Sequence, residues 1–281
     1  MRFDVSDELR LFAESVRGAI GDWTAPREPE LGAWQDDRDD MLAARLADAG
    51  WSELWAGEEI LGAVVAGGVE LGRAAVPVSV VDEATLGAPL WVDGRARHGR
   101  DAPSLAVPRR GGRLGIGPPS SEARPEVTLD GTGTVRVDVD AVGELEGVAA
   151  IACWRAWNAA TLAYFAGLAA RALEVAVAHA KTREQFGAPI AALPAVQSRL
   201  ADAALATDAL LLLAWAAAAN EGGLQDAELR WAGPACCDVT ASAHQIHGAV
   251  GFALETGLHV YHRRARATQA WAAAVCTAAS S

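Results

Sequence analysis

The sequence is short of basic residues: 24 lysines and arginines stand against 36 aspartates and glutamates, a formal net charge of -12 over 281 residues. Because a general nucleic-acid surface needs a basic face to neutralise phosphates, this balance argues against nucleic acid as a partner. Cysteine is also scarce. The four cysteines, Cys153, Cys236, Cys237 and Cys276, include no C-x-x-C spacing, so a disulfide framework is not expected.

Signals for export or membrane insertion are missing as well. The first sixteen residues, MRFDVSDELRLFAESV, carry charges throughout rather than a basic end followed by an apolar run, which predicts a cytoplasmic protein. The two most apolar runs are residues 156–170, only 15 residues long, and residues 203–219, which contain Asp208. A membrane span needs about 20 predominantly apolar residues. We therefore expect buried helices here and no membrane contact.

Motifs of several catalytic classes are absent. No G-x-S-x-G, P-loop or G-x-G-x-x-G occurs, and no pair of carboxylates suggests acid and base roles, so hydrolase and kinase functions lack residues and we name no catalytic residue. His244, His247, His259 and His262 form two H-x-x-H pairs, which zinc could use. No carboxylate is spaced to orient the imidazoles, and a partly exposed helical face explains them equally, so no metal site is predicted.

The pattern of apolar residues predicts a mostly α-helical protein in three parts. Residues 1–93 form an N-terminal helical domain, with a helix capped by Ser6, a second helix over about 39–49, and a third that ends before Pro77. Residues 94–143 form a small, shortened β segment of about four strands. One hairpin there places Val127 and Leu129 opposite Val135, Val137 and Val139, around an Asp-Gly-Thr-Gly turn. Residues 144–281 form a four-helix bundle, with helices at about 146–185, 190–220, 225–247 and 253–275.

The bundle is interrupted at two corners. In the first, TREQFG, Arg183 is suited to grip a phosphate with its guanidinium fork, Phe186 to cover an adenine, and Gln185 to fix an oxygen of ribose or pyrophosphate. In the second, HQIHGAVGF, Gln245 offers an amide, and Gly248 lets a backbone approach a flat or phosphorylated group. The alternative is that both corners are helix ends with ordinary capping and packing.

The segments TREQFGAPI, AVQSRLAD and QIHGAVGFALETGLHVYHRRA closely resemble the C-terminal domain of the acyl-CoA dehydrogenase family. The segments LRLFAESVRGAI, LADAGWSELWAGEE and VELGRAAVPV resemble its N-terminal helical domain. The resemblance implies a flavoprotein that desaturates acyl-CoA thioesters, whose two corners bind the ADP half of the neighbouring subunit's FAD. By motif, Arg183 holds pyrophosphate, Gln185 and Phe186 line the adenosine, and Gln245 and Gly248 close the site.

The sequence departs from the family pattern at the catalytic base. The family uses a glutamate at one of two places, and by register these fall at about Trp157 and Ala272 in this chain, where no carboxylate stands. The nearest acids are Glu146 and Glu255. A second departure, Ala249 in place of the second glycine of a Gly-Gly pair, is expected to crowd the second corner slightly.

The middle segment also lacks the family's Thr/Ser-rich contacts to the flavin ring. The pattern resembles the reduced subunit of heteromeric actinobacterial acyl-CoA dehydrogenases of steroid side-chain degradation. It implies a full-length partner subunit, a two-plus-two assembly, shared FAD, and an acyl-CoA substrate in the complex. Two alternatives stay open: a homomeric flavoenzyme with a relocated base, and a flavin-free scaffold or binding protein of the same fold.

Overall fold

The computed structural model describes residues 6–24, 39–52, 60–128, 133–140, 143–145 and 147–280. Two stretches used above lie outside the described residues: part of LADAGWSELWAGEE, at 53–59, and the Asp-Gly-Thr-Gly turn with Leu129. Within the described part the protein is mostly helical, with a few small strands, as the sequence predicted.

Over its described residues, the N-terminal part has four helices: α1 Asp7–Ile20, α2 Asp40–Asp48, α3 Leu61–Ala74 and α4 Ser79–Leu86. The predicted cap is confirmed, since Ser6 Oγ accepts a hydrogen bond of 3.4 Å from the Leu9 amide. Asp39 caps α2 in the same way, accepting from the Leu42 amide at 2.9 Å. Helix α4 was not predicted; it follows Pro77 directly and is buried on most of its sides, so it shows no clear amphipathic period.

Where the structure describes it, the middle segment has seven short strands: β1 Trp91–Val92, β2 Arg95–Arg97, β3 Leu105–Arg109, β4 Arg113–Gly117, β5 Arg124–Pro125, β6 Thr134–Arg136 and β7 Gly143–Leu145. They form two antiparallel sheets, ordered β1-β2-β6-β5 and β3-β4-β7. Strands β3 and β4 pair antiparallel, with Leu105 opposite Gly117 and Arg109 opposite Arg113.

For the predicted hairpin, the burial of the second strand is confirmed and the burial of the first strand is wrong. Val135 and Val137 are buried, as their alternation indicated. Their partner strand is β5, with Pro125 opposite Val135, and the predicted partner Val127 is 52% exposed. The two-residue strand Arg124–Pro125 is too short to show an alternation of apolar residues, so the sequence did not indicate its register with β6.

The C-terminal part is the predicted four-helix bundle: α5 Gly147–Thr182, α6 Pro194–Ala219, α7 Asp226–His247 and α8 Leu258–Ser280. Helix α5 is the centre of the molecule, because it packs against α3 and α4 on one side and α6 and α7 on the other. The predicted start at residue 253 is displaced to Leu258 by a 3₁₀ turn at Leu254–Thr256. The three-domain division at 93/94 and 143/144 stays a prediction.

The crossing of α3 and α5 depends on glycine. A Cβ on Gly167 would lie 2.1 Å from the carbonyl oxygen of Val69, and a Cβ on Gly72 would lie 2.2 Å from that of Tyr164. No real side chain fits at those distances, so the two backbones touch only because both positions are glycine. The Tyr164 hydroxyl then donates a 2.6 Å bond to the Val76 carbonyl and ties α5 to the end of α3.

Helices α5 and α6 are, by length and composition alone, long and apolar enough to cross a membrane, which is weak evidence for a span. Both are longer than the runs judged too short from sequence, at 36 and 26 residues. The apolar window of α5 is 67% buried inside the structure, as expected for a core helix, but that of α6 is only 22% buried. The exposed leucines of α6 are Leu205, Leu211 and Leu212.

Candidate functional site

The first corner, residues 183–189, is a tight hairpin that follows the end of α5. Strands β8 Glu184–Gln185 and β9 Ala188–Pro189 pair around Phe186 and Gly187, which have φ values of 54° and 82°. Two central residues with positive φ are typical of a two-residue hairpin. Phe186 is costly in this conformation, since bulky residues rarely adopt it, and its ring is 92% exposed.

The Arg183 side chain stands at the base of this hairpin. Two backbone hydrogen bonds hold the residue in place. The Arg183 amide donates to the His179 carbonyl at 2.8 Å, and the Arg183 carbonyl accepts from the Ile190 amide at 2.8 Å. Its guanidinium is exposed and makes no hydrogen bond or ion pair with any described residue. Gln185 is exposed too, and its amide nitrogen donates only to the Glu184 carbonyl, at 2.7 Å.

The second corner, residues 244–252, is the end of α7 and a 3₁₀ turn over Gly248–Phe252. Gly248 ends the helix with φ of 63°. Gly251 is packed so tightly that a Cβ there would lie 2.7 Å from the His244 carbonyl oxygen. His244 Nδ1 donates a 2.8 Å bond to the Gly251 carbonyl, so this buried histidine shapes the turn. Gln245 remains exposed on the outside.

The two corners lie at the same end of the bundle. His179 of α5 stacks on His247 of α7, with ring centroids 4.1 Å apart and planes at 23°. At this end of the bundle, Ile190 and Ile246 belong to one small buried cluster. Sequence reasoning missed His179. Its signal was its position four residues before Arg183, which places it on the same helix face one turn earlier.

Electrostatics at this end disfavour positive charge on His179 and His262. Burial lowers the pKa of His179 below its ordinary value of 6.5, and the neighbouring His247 and Arg183 lower it further. Burial, His244 and Arg266 lower the pKa of His262 in the same way.

Three histidines of the two H-x-x-H pairs hydrogen-bond to other protein groups, and one of them, His244, bonds to Gly251 as described above. His247 Nδ1 donates to the Ala243 carbonyl at 2.8 Å, and His262 Nδ1 lies 2.9 Å from Thr240 Oγ1. Over the residues that the structure covers, no three of the His, Cys, Asp and Glu side chains are grouped to hold a metal ion.

The residues at the two positions that register assigns to the family's base are both buried. Trp157 is 1% exposed and Ala272 is 2% exposed. Trp157 Nε1 donates a 3.0 Å hydrogen bond to Asp82, and Asp82 also receives both arms of Arg97, at 2.9 and 2.7 Å. The Arg97 guanidinium lies 5.4 Å from the centroid of the Trp271 ring. We call Asp82, Arg97, Trp157 and Trp271 the buried polar cluster. Of the nearest acids, Glu255 is exposed, and Glu146 lies outside the described residues.

Comparison with protein families agrees with the resemblance drawn from sequence. Residues 155–272 match the family described as acyl-CoA dehydrogenase, C-terminal domain. Among curated proteins, the chain is 40% identical over 115 residues to 3-sulfinopropanoyl-CoA desulfinase from Paraburkholderia xenovorans, an alignment covering 39% of this chain and 29% of that protein. The alignment thus spans less than a third of that relative's length.

Two solved structures resemble the whole fold. A variant of the Tcur3481-Tcur3483 steroid ACAD superposes with a TM-score of 0.73 at 21% identity, covering 93% of this chain and 92% of that one. The ChsE4-ChsE5 complex from Mycobacterium tuberculosis superposes with a TM-score of 0.70 at 22% identity, covering 98% of this chain and 96% of that one. Residues 155–272 thus match the acyl-CoA dehydrogenase C-terminal domain family, on a chain with the acyl-CoA dehydrogenase fold.

Proposed function

We propose that this chain is the reduced subunit of a hetero-oligomeric flavoenzyme that desaturates an acyl-CoA between its α and β carbons. The chain contributes its two corners to FAD seated mainly in a full-length partner subunit, and the partner supplies the catalytic base. The flavin accepts the electrons of the reaction when it is bound.

The observation that carries the proposal is the state of the first corner. Arg183 offers an exposed guanidinium without a bonding partner among the described residues, beside a Phe186 ring that is 92% exposed in a costly backbone conformation. A strained, exposed aromatic residue is a reason to look for a function. A diphosphate bound bidentately by Arg183, with adenine against Phe186, accounts for both side chains.

The second corner fits the same ligand. A Cβ built on Gly248 would have nothing within 4 Å of it. Gln245, three residues earlier, is exposed. Together Arg183, Gln185, Phe186, Gln245 and Gly248 would hold the ADP half of the cofactor.

The interior of this chain does not fit the flavin half of the cofactor. The places assigned to the base hold Trp157 and Ala272, and the buried polar cluster fills the space around them. An isoalloxazine ring and an acyl chain would have to displace a fully buried ion pair, whose separation carries a large cost. This supports chemistry in a partner rather than in this chain.

The exposed face of α6 supports a large subunit interface. Leu205, Leu212 and Trp231 are between 40% and 68% exposed, and a groove of about 550 Å³ between α6 and α7 is lined by Leu212, Leu213 and Trp231. Apolar faces of this kind are typical of obligate interfaces. We assign this face to the partner rather than to a membrane, and the assembly to the cytoplasm.

The superposition on two structures with two-component names, one called a steroid ACAD, favours a two-plus-two assembly and a bulky acyl-CoA such as a steroid side-chain thioester.

The test is the visible absorbance of the purified chain, alone and co-expressed with a longer homologue encoded beside it. We expect a colourless chain alone and a yellow, stable complex. A homomer carrying close to one FAD per protomer would establish the self-sufficient flavoenzyme instead. A colourless complex with every longer homologue tried would establish a flavin-free scaffold.

A further inference from the structure

We propose that the stacked pair His179 and His247 positions the two corners against each other, and that the site holds flavin only while His179 is uncharged. The inference rests on the proposed function, because it concerns the same FAD site. It adds two residues to that site and a dependence on pH.

The geometry places the pair between the corners. His179 lies on α5 one turn before Arg183, and His247 is the last residue of α7, directly before Gly248. The 4.1 Å stack is therefore a direct side-chain contact between the helix that carries the first corner and the helix that carries the second. Losing it would let the Arg183 guanidinium and the Gln245 amide move independently.

The orientation of the His247 ring is fixed from below. Its Nδ1 donates to the Ala243 carbonyl at 2.8 Å, since a carbonyl can only accept. In the neutral ring the remaining nitrogen, Nε2, carries the lone pair. Ala180, the residue after His179, and Ala243, whose carbonyl accepts from His247, belong to the same small buried cluster.

Positive charge on His179 is opposed by its surroundings. Burial lowers the pKa of His179 first, and the neighbouring His247 and Arg183 lower it further. Lys181 and Glu184, of opposite charge, flank the first corner in sequence and are both exposed. At the same end of the bundle, His244 and Arg266 act on His262. A protonated His179 would stand at stacking distance from His247 and one helical turn from the Arg183 guanidinium, which carries the same charge.

The direction of the pH effect follows from the lowered pKa of His179. The folded site binds protons less readily than a free imidazole does, so the stack contributes fully above the ordinary value of 6.5. Its contribution is lost progressively as the pH falls below that value, because proton uptake then favours states in which the rings are apart.

The experiment measures flavin retained by the co-purified complex after gel filtration at about pH 8 and at about pH 5.5, with free FAD read by its fluorescence. We expect the wild type to lose FAD at the lower pH. The variant His179→Phe keeps a flat ring that stacks but does not titrate, and should retain FAD at both. The variant His179→Ala should bind FAD about tenfold more weakly even at the higher pH.

The outcomes separate this inference from the proposed function. If Arg183→Ala loses flavin but His179→Phe shows the same loss at low pH as the wild type, the positioning role is wrong while the shared site stands. If flavin retention rises as the pH falls, the histidines bind the diphosphate directly and the positioning role is again wrong. If Arg183→Ala keeps full FAD, the shared site itself is wrong.

Discussion

Trp157 donates a hydrogen bond of 3.0 Å from its indole nitrogen to Asp82, a carboxylate with no exposed surface. The same carboxylate is held by both arms of Arg97. Trp157 stands at one place where register with the acyl-CoA dehydrogenases puts a catalytic glutamate. The side chains around this position are engaged with one another in the buried polar cluster.

The chain alone should not reduce an artificial electron acceptor with any acyl-CoA. Ala272→Glu should not restore turnover, because a base helps only within about 3 Å of its proton in a productive pose, and Ala272 is buried beside Trp271. The assay is acceptor reduction with short, long and steroid acyl-CoA thioesters. Robust turnover by the wild-type homomer would contradict this prediction and support a relocated base.

The buried polar cluster should be important for stability. Asp82→Ala leaves the buried Arg97 without its counter-charge and Trp157 without an acceptor, so we expect the free energy of unfolding to fall by about 3 to 5 kcal/mol. Denaturant unfolding followed by tryptophan fluorescence measures it. The control is Arg113→Ala, which breaks a largely exposed ion pair with Glu144 and should cost less than about 1 kcal/mol. Equal losses in the two variants would contradict the prediction.

Arg183→Ala should lower the FAD content of the complex by about tenfold in affinity, although Arg183 lies on the subunit without the chemistry. Lysine should restore binding only in part, since it lacks the planar fork. Flavin content is read from absorbance after gel filtration, with Arg171→Ala as the control on the helix surface. A variant that keeps full FAD in an assembled complex would mean that the corner is only a turn.

Phe186→Gly should separate stability from function. Glycine adopts the φ of 54° without strain, so the free chain should become slightly more stable, by up to about 1 kcal/mol. The complex should nonetheless bind FAD more weakly, because the aromatic face is gone. Thermal unfolding of the free chain and flavin titration of the complex give the two quantities. Unchanged flavin affinity would remove Phe186 from the site.

Gly167→Ala should destabilise the whole protein, because the added Cβ would meet the Val69 carbonyl oxygen at 2.1 Å. The backbones of α3 and α5 must then separate, at a cost of about 1 to 3 kcal/mol or more. Gly18→Ala is the matched control. It is an exposed position in α1 with nothing within 4 Å, and alanine there should stabilise by about 0.5 to 1 kcal/mol. Similar unfolding midpoints for the two variants would contradict the close crossing.

Local patterns in the sequence were enough to predict the helices of the bundle and the cap at Ser6. Helical period, capping side chains and strand alternation act within a few residues, so they can be read without knowing what the segment packs against. The roles of Arg183, Gln185, Phe186, Gln245 and Gly248 came from motif resemblance and stay predictions, although their local turns were signalled by Gly187 and Gly248.

Only the tertiary structure decided the contacts between segments that are far apart in the sequence. Helix α4 had no readable period because it is covered on most sides, and Val127 was misplaced because the strand register depends on a partner across a turn. The stack of His179 on His247 and the bond from Trp157 to Asp82 join residues 68 and 75 positions apart in the chain. Such contacts are set by how α3, α4, α5 and α7 pack around one core, and packing is a property of the assembled chain rather than of any segment.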